Sequence, residues 1–209
     1  IRRLALIITP QDELDAVNEI LSSIGSSPVS SLEDDSNIDV INAKRILNGV
    51  SQEIQSRGWF FNTLEMIHLD PEDNRNGKLN IPCPNSYLRF EAPTYKLIRR
   101  NGYFFDVYSQ TNVFPEGLDI KILVKELPFN ELPEQFRKYI TVRSSRIFQI
   151  RYLGDDGLDL HLQTEETAAY ADVVDYDLTT GDYNVFEDGD FIQIARHRGV
   201  PYAPYFPKH

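Results

Sequence analysis

Nucleophiles, bases and ligand atoms are dispersed along this chain. Its four histidines, His68, His161, His197 and His209, follow no ligand spacing, and it holds no His-Glu-x-x-His helix, Gly-x-Ser-x-Gly elbow or Gly-rich phosphate loop. The one cysteine, Cys83, lies between Pro82 and Pro84 in a predicted loop with no histidine near it in sequence, which favours a structural thiol over a nucleophile. Carboxylates are the richest set. Glu165-Glu166, Asp172, Asp175, Asp177 and the Glu187-Asp188/Asp190 cluster could supply an acid/base pair for glycan hydrolysis or oxygen ligands for calcium. Asp172 and Asp175 share a helix face, but a chain with 32 acidic residues makes such pairs freely, and the 187–190 loop lacks the spaced ligands and closing Glu of an EF-hand. A solvated acidic face is the better reading, and neither cofactor nor metal is expected. Arg99-Arg100, Arg143/Arg146 and Arg196/Arg198 read as local ion-pair partners rather than a nucleic-acid stripe.

Composition supports the same view. The 209 residues are 41% hydrophobic and 11% aromatic, enough to bury a globular core. A formal net charge of -11 argues against gripping nucleic-acid phosphates. The lone cysteine excludes an intramolecular disulfide and a multi-cysteine metal cluster and fits a reducing cytoplasm. The start, Ile1 to Ile8, is basic then apolar, and reads as an edge strand or docking arm rather than a signal peptide. Because the first residue is not methionine, a processed, tagged or truncated chain is expected. No stretch approaches the roughly 20 apolar residues of a membrane helix, so no membrane partner is expected.

The elements that must position these residues follow from periodicity. Thr9 as cap and Pro10 at N1 predict a first helix with Leu14, Val17, Leu21 and Ile24 on one face and Gly25 at its end. Asn37 to Arg57 predicts a second, with Ile46, Leu47, Val50 and Ile54 on one face and Glu33 to Ser36 capping it. Gly58 should end it in a left-handed conformation, and Trp59, Phe60 and Phe61 then favour a strand or a core wedge. Strands are predicted at 65–69, 87–90, 95–99, 103–107 and 119–126, with Asn101-Gly102 as a type I′ hairpin turn and 71–77 as a polar loop. Helix resumes near Leu132 with Asn130 as cap and Phe136, Ile140, Arg143, Ile147 and Ile150 on one face; Leu158 to Asp177 makes a fourth, with Glu165, Glu166 and Asp172 away from its packed side.

The order α, α, several β, α, α predicts an α+β chain. A discontinuous helical bundle, 1–58 with 130–178, should carry an inserted antiparallel β domain, 59–129, and an extended C-terminal arm, 179–209. Gly58, Trp59 and Phe61 form the structural corner where helix gives way to sheet. The two arms cannot bury their apolar residues locally, so Tyr183, Phe186, Phe191, Tyr202, Tyr205 and Phe206 are interface candidates.

Several pieces in order carry a family resemblance: Ala16 to Gly25, Pro28-Val-Ser30, Asn42 to Asn48, and Ile54 to Trp59 with Phe61-Asn62. Leu132-Pro-Glu134, Phe136-Arg137, the Arg143 to Ile150 stretch and Glu165 to Ala169 extend it over the helical half. The chain resembles the tail tubular protein A family, the head-to-tail adaptors of short-tailed bacteriophages (podoviruses). The resemblance implies a non-enzymatic virion protein, made in the host cytoplasm and placed at the head-tail junction. It further implies a homo-oligomeric ring, a dodecamer, between the portal protein and the tail nozzle protein (tail tubular protein B), with DNA passing through the lumen without specific binding. An acidic lumen would repel phosphate and let DNA slide.

Overall fold

A computed structural model describes residues 9–33, 37–73 and 79–181. Four helices and seven strands appear there: α1 Glu13–Ser22, α2 Ile38–Gln55, β1 Thr63–Leu69, β2 Glu72–Asp73, β3 Leu79–Asn80, β4 Tyr87–Glu91, β5 Leu97–Arg100, β6 Tyr103–Asp106, β7 Leu118–Lys125, α3 Glu134–Tyr152 and α4 Asp156–Thr180. The predicted α+β class and element order hold. The arms, Ile1–Ile8 and Tyr183–His209, lie outside the described residues, as do all six arm interface candidates.

Helix starts depart from the sequence reading where two caps compete. Asp12, not Thr9, caps α1: its carboxylate accepts from the Asp15 N–H at 2.9 Å, so Pro10 precedes the helix instead of opening it. Asn37 caps α2, accepting from Asp39 N–H at 3.0 Å. Asn130 does not cap α3; it lies in a 3-10 turn, Phe129–Glu131, and α3 starts after Pro133 with no side-chain cap. Asp155 caps α4 through the Leu158 N–H at 2.8 Å, so α4 begins two residues earlier than predicted.

α3 packs against the other three helices, and α1 also packs on α2. Their apolar residues form one cluster that includes Ile20, Leu47, Ile54, Trp59, Phe136, Phe148 and Val173. Because α3 is enclosed by its neighbours, its buried surface exceeds one stripe: Thr141, Ser144 and Gln149 are buried too, and the Ser144 hydroxyl donates to the Ile140 carbonyl at 2.7 Å. Ile150, predicted to face the core, is half exposed.

The strands build a second, separate cluster around Ile81, Phe104, Phe114, Leu118 and Leu123. β7 is the centre of a three-stranded antiparallel sheet in the order β1, β7, β4. β5 and β6 form the predicted hairpin, with Asn101 at φ 51° and Gly102 at φ 79°. β2, inside the stretch read as loop, pairs with β3 just beyond it. Along edge strand β1 the register holds on both sides of Met66, Glu65 opposite Ile122 and Ile67 opposite Ile120, while Met66 itself takes φ 50° and is 81% exposed.

Candidate functional site

The two clusters are joined by residues 55–62. Gly58 stands at φ 78°, as the helix end requires, and a β-carbon there would come within 2.8 Å of Arg89 Nη2 and 3.0 Å of Val124 Cγ2. β7 and the Arg89 side chain of β4 therefore approach the helix end as closely as a glycine allows. Trp59 is buried and donates Nε1–H to the Ile54 carbonyl at 2.7 Å. Its ring and that of Phe61 both meet Phe136 edge-on, at centroid distances of 4.8 and 4.6 Å. Both rings thus join the helical core, and the wedge reading of this triplet is the one realised.

Polar side chains hold the sheet to this junction. Gln55, fully buried, donates Nε2–H to the Leu127 carbonyl at 3.1 Å and accepts from the Leu127 N–H at 2.8 Å. Asn62 donates to the carbonyls of Gln55, at 3.0 Å, and Lys125, at 3.1 Å, while its Oδ1 accepts from the Trp59 N–H at 2.8 Å. Arg89 donates to the Arg57 carbonyl at 2.9 Å. Near the end of α4, buried Asp177 accepts from the Phe60 N–H at 3.1 Å. Gln55, Asn62 and Asp177 are buried polar groups, and their partners satisfy the requirement that such groups be hydrogen-bonded.

The remaining polar chemistry is consumed between helices. Arg143 bridges Glu53 of α2 at 2.8 Å and Glu166 of α4 at 2.9 Å, and Arg146 holds Asp159 at 2.6 Å and Glu166 at 3.0 Å. The ion-pair reading of these arginines holds. Glu166, however, faces α3 rather than solvent, because it sits between two guanidinium groups. The Arg146 hydrogen bond holds the Asp159 carboxyl below its ordinary range. Arg99 donates to the Tyr87 carbonyl and to Asn85, and Arg100 lies over the Phe105 ring at 3.8 Å, so this pair serves backbone and aromatic contacts instead.

Among the described residues, those with catalytic potential do not converge. Cys83 is fully buried, which pushes its thiol up, and its N–H donates to the Gly102 carbonyl. His68 is hydrogen-bonded to Asp119 at 2.7 Å and lies 3.7 Å from Asp70; His161 is exposed, and His197 and His209 lie outside the described residues. Asp172 pairs with Lys138 at 3.0 Å and, with Asp175, lines a shallow cleft of about 340 Å³ between α3 and α4. Burial, and then the charge of Glu165, raise Glu19, yet neither residue lines that cleft or the larger groove of about 350 Å³ between α2 and α3. The 187–190 cluster lies outside the described residues. Among the described residues no group of three or more His, Cys, Asp or Glu is placed to hold a metal, and no helix is long and apolar enough to cross a membrane.

In this arrangement a polar junction couples a helical core to a β core. The tail tubular protein family model matches residues 14–183, and the chain belongs to that family. It is a structural component of a bacteriophage tail, located in the virion among the tail's assembly partners. No curated protein matches the chain.

Proposed function

We propose that the protein is a ring-forming head-to-tail adaptor that joins the portal to the tail nozzle protein and lets DNA pass through its lumen. The family match over 14–183 carries this reading. In it the chain divides into a bundle, 1–58 with 130–178, an inserted β domain, 59–129, and an arm, 179–209; the two separate hydrophobic clusters support the first two. The corner at Gly58, Trp59 and Phe61 sets the angle at which each subunit presents its β domain. Apolar residues exposed on the helices, including Ile38, Ile150, Leu153, Leu160 and Leu178, are material for subunit contacts. The net charge of -11 suits a wall along which DNA slides without being held. The adaptor works at the head-tail junction, as a dodecamer and without catalysis.

Electron microscopy of the purified protein, alone and with portal, tests this. Closed rings, stacked on portal when it is present, are expected. Monomers that neither close nor bind portal would overturn the proposal.

A further inference from the structure

Two helical surfaces stand unpartnered among the described residues and match each other. α4 carries leucines on its outer face as well as on its packed one. Leu160, Thr164, Thr167, Ala171, Asp175 and Leu178 recur at helical spacing opposite the buried Ala169 and Val173, and all six are exposed, Leu160 by 64% and Leu178 by 51%. The stripe is apolar or small except for Asp175, and α4 as a whole holds seven carboxylates and no lysine or arginine.

The groove between α2 and α3 is its complement. Ile38, 71% exposed, continues the helix face on which Arg45, Gly49 and Glu53 line the groove, and Arg151 of α3 forms part of the opposite wall. Arg45 and Arg151 are exposed and have no ion-pair partner among the described residues, whereas Glu53 is already engaged by Arg143. Gly49 lies in the middle of α2, where glycine weakens a helix, and a β-carbon added there would meet nothing within 4 Å. No described residue uses the space it leaves. Ile38 to Glu53 and Leu160 to Leu178 span about 22 and 27 Å at 1.5 Å per residue, so the two surfaces are of similar length.

We propose that the α4 outer face of one copy docks in the α2/α3 groove of the next, a heterologous contact that repeats around the ring. This rests on the ring reading above and names its interface. The groove and the stripe lie on different helices of one subunit, which permits head-to-tail packing that closes by rotation. Charge selects the direction. With Ala171 seated over Gly49, α4 antiparallel to α2 brings Asp175, four residues on, over Arg45 beside Arg151; the parallel arrangement brings it over Glu53. The antiparallel arrangement also brings Leu178 toward Ile38 and Ile41.

A full-length chain carrying both Gly49→Cys and Ala171→Cys tests the contact under mild oxidation, since native Cys83 is fully buried. A ladder of disulfide-linked oligomers is expected, with and without portal, and neither single variant should produce it. Arg45→Glu and Asp175→Arg should each cut the ladder at least tenfold when added to the double-cysteine chain, and the two together should restore it. Rings seen by electron microscopy with no ladder would overturn this interface while leaving the ring intact. Absence of any ring, alone or on portal, would overturn both.

Discussion

The amide of Gln55 bridges both backbone groups of Leu127, donating to its carbonyl at 3.1 Å and accepting from its N–H at 2.8 Å. One side chain on α2 thereby fixes the chain just beyond β7, and the two hydrophobic clusters are tied by hydrogen bonds rather than by continuous apolar packing. Replacing Gln55 by Leu leaves both Leu127 groups unpaired and is expected to lower stability by about 2–4 kcal/mol in urea unfolding. A change below about 0.5 kcal/mol would show that the bridge holds nothing.

Trp59→Ala removes the ring that meets Phe136 and the donor to Ile54, and should cost about 3–5 kcal/mol. Trp59→Phe keeps most of the ring and should cost clearly less. Equal losses in thermal or urea unfolding would indicate that packing is not what this ring contributes.

Two glycines should respond in opposite directions to alanine. Gly58→Ala adds a β-carbon at φ 78° against Arg89 and Val124, and should destabilise by about 1–3 kcal/mol. Gly49→Ala adds one where nothing lies within 4 Å and should stabilise the isolated subunit by about 0.5–1 kcal/mol. Matching urea midpoints for the two variants would contradict this assignment.

Two groups give pH signatures of opposite sign. The hydrogen bond to Asp119 raises His68, with burial opposing and the charges of Asp119 and Asp70 adding to it. Its contribution is full below the ordinary histidine value of about 6.5 and is lost as pH rises through the higher folded value. Asp159, held low by Arg146, contributes above the ordinary carboxylate value and loses that contribution as pH falls through its folded value. The gap in melting temperature between the wild type and His68→Gln should therefore shrink toward alkaline pH, and that for Asp159→Asn toward acid. Gaps that stay constant with pH would refute both.

Deleting Gly199 to His209 should weaken ring formation or portal docking while leaving the described fold intact, as judged by circular dichroism and a sizing column. Unchanged assembly and portal binding would remove the arm from the proposed interfaces.

What was legible in the residues is what local physics decides. Gly58 after a periodic helix and Asn101-Gly102 between β-rich runs each specify a backbone conformation from a few neighbours, and both have the positive φ angles expected. Gln55, Asn62 and Asp177 were illegible because their partners arrive from afar: Leu127 is 72 residues from Gln55, Lys125 is 63 from Asn62, and Phe60 is 117 from Asp177. A polar residue reads as surface until a distant segment covers it. The choice between Thr9 and Asp12 as cap was degenerate in sequence, since both are cap-forming types three residues apart, and Glu166 was misplaced because a carboxylate facing two arginines looks the same in sequence as one facing water.

The left-handed backbone at Met66 has a bearing on survival in a crowded cell. β1 is an outer strand, and a regular outer strand is a template on which any other unpaired strand can add without limit. Met66, at φ 50°, interrupts the extended backbone at mid-length without shifting the register, which makes this outer edge a poorer template for fibrous aggregation.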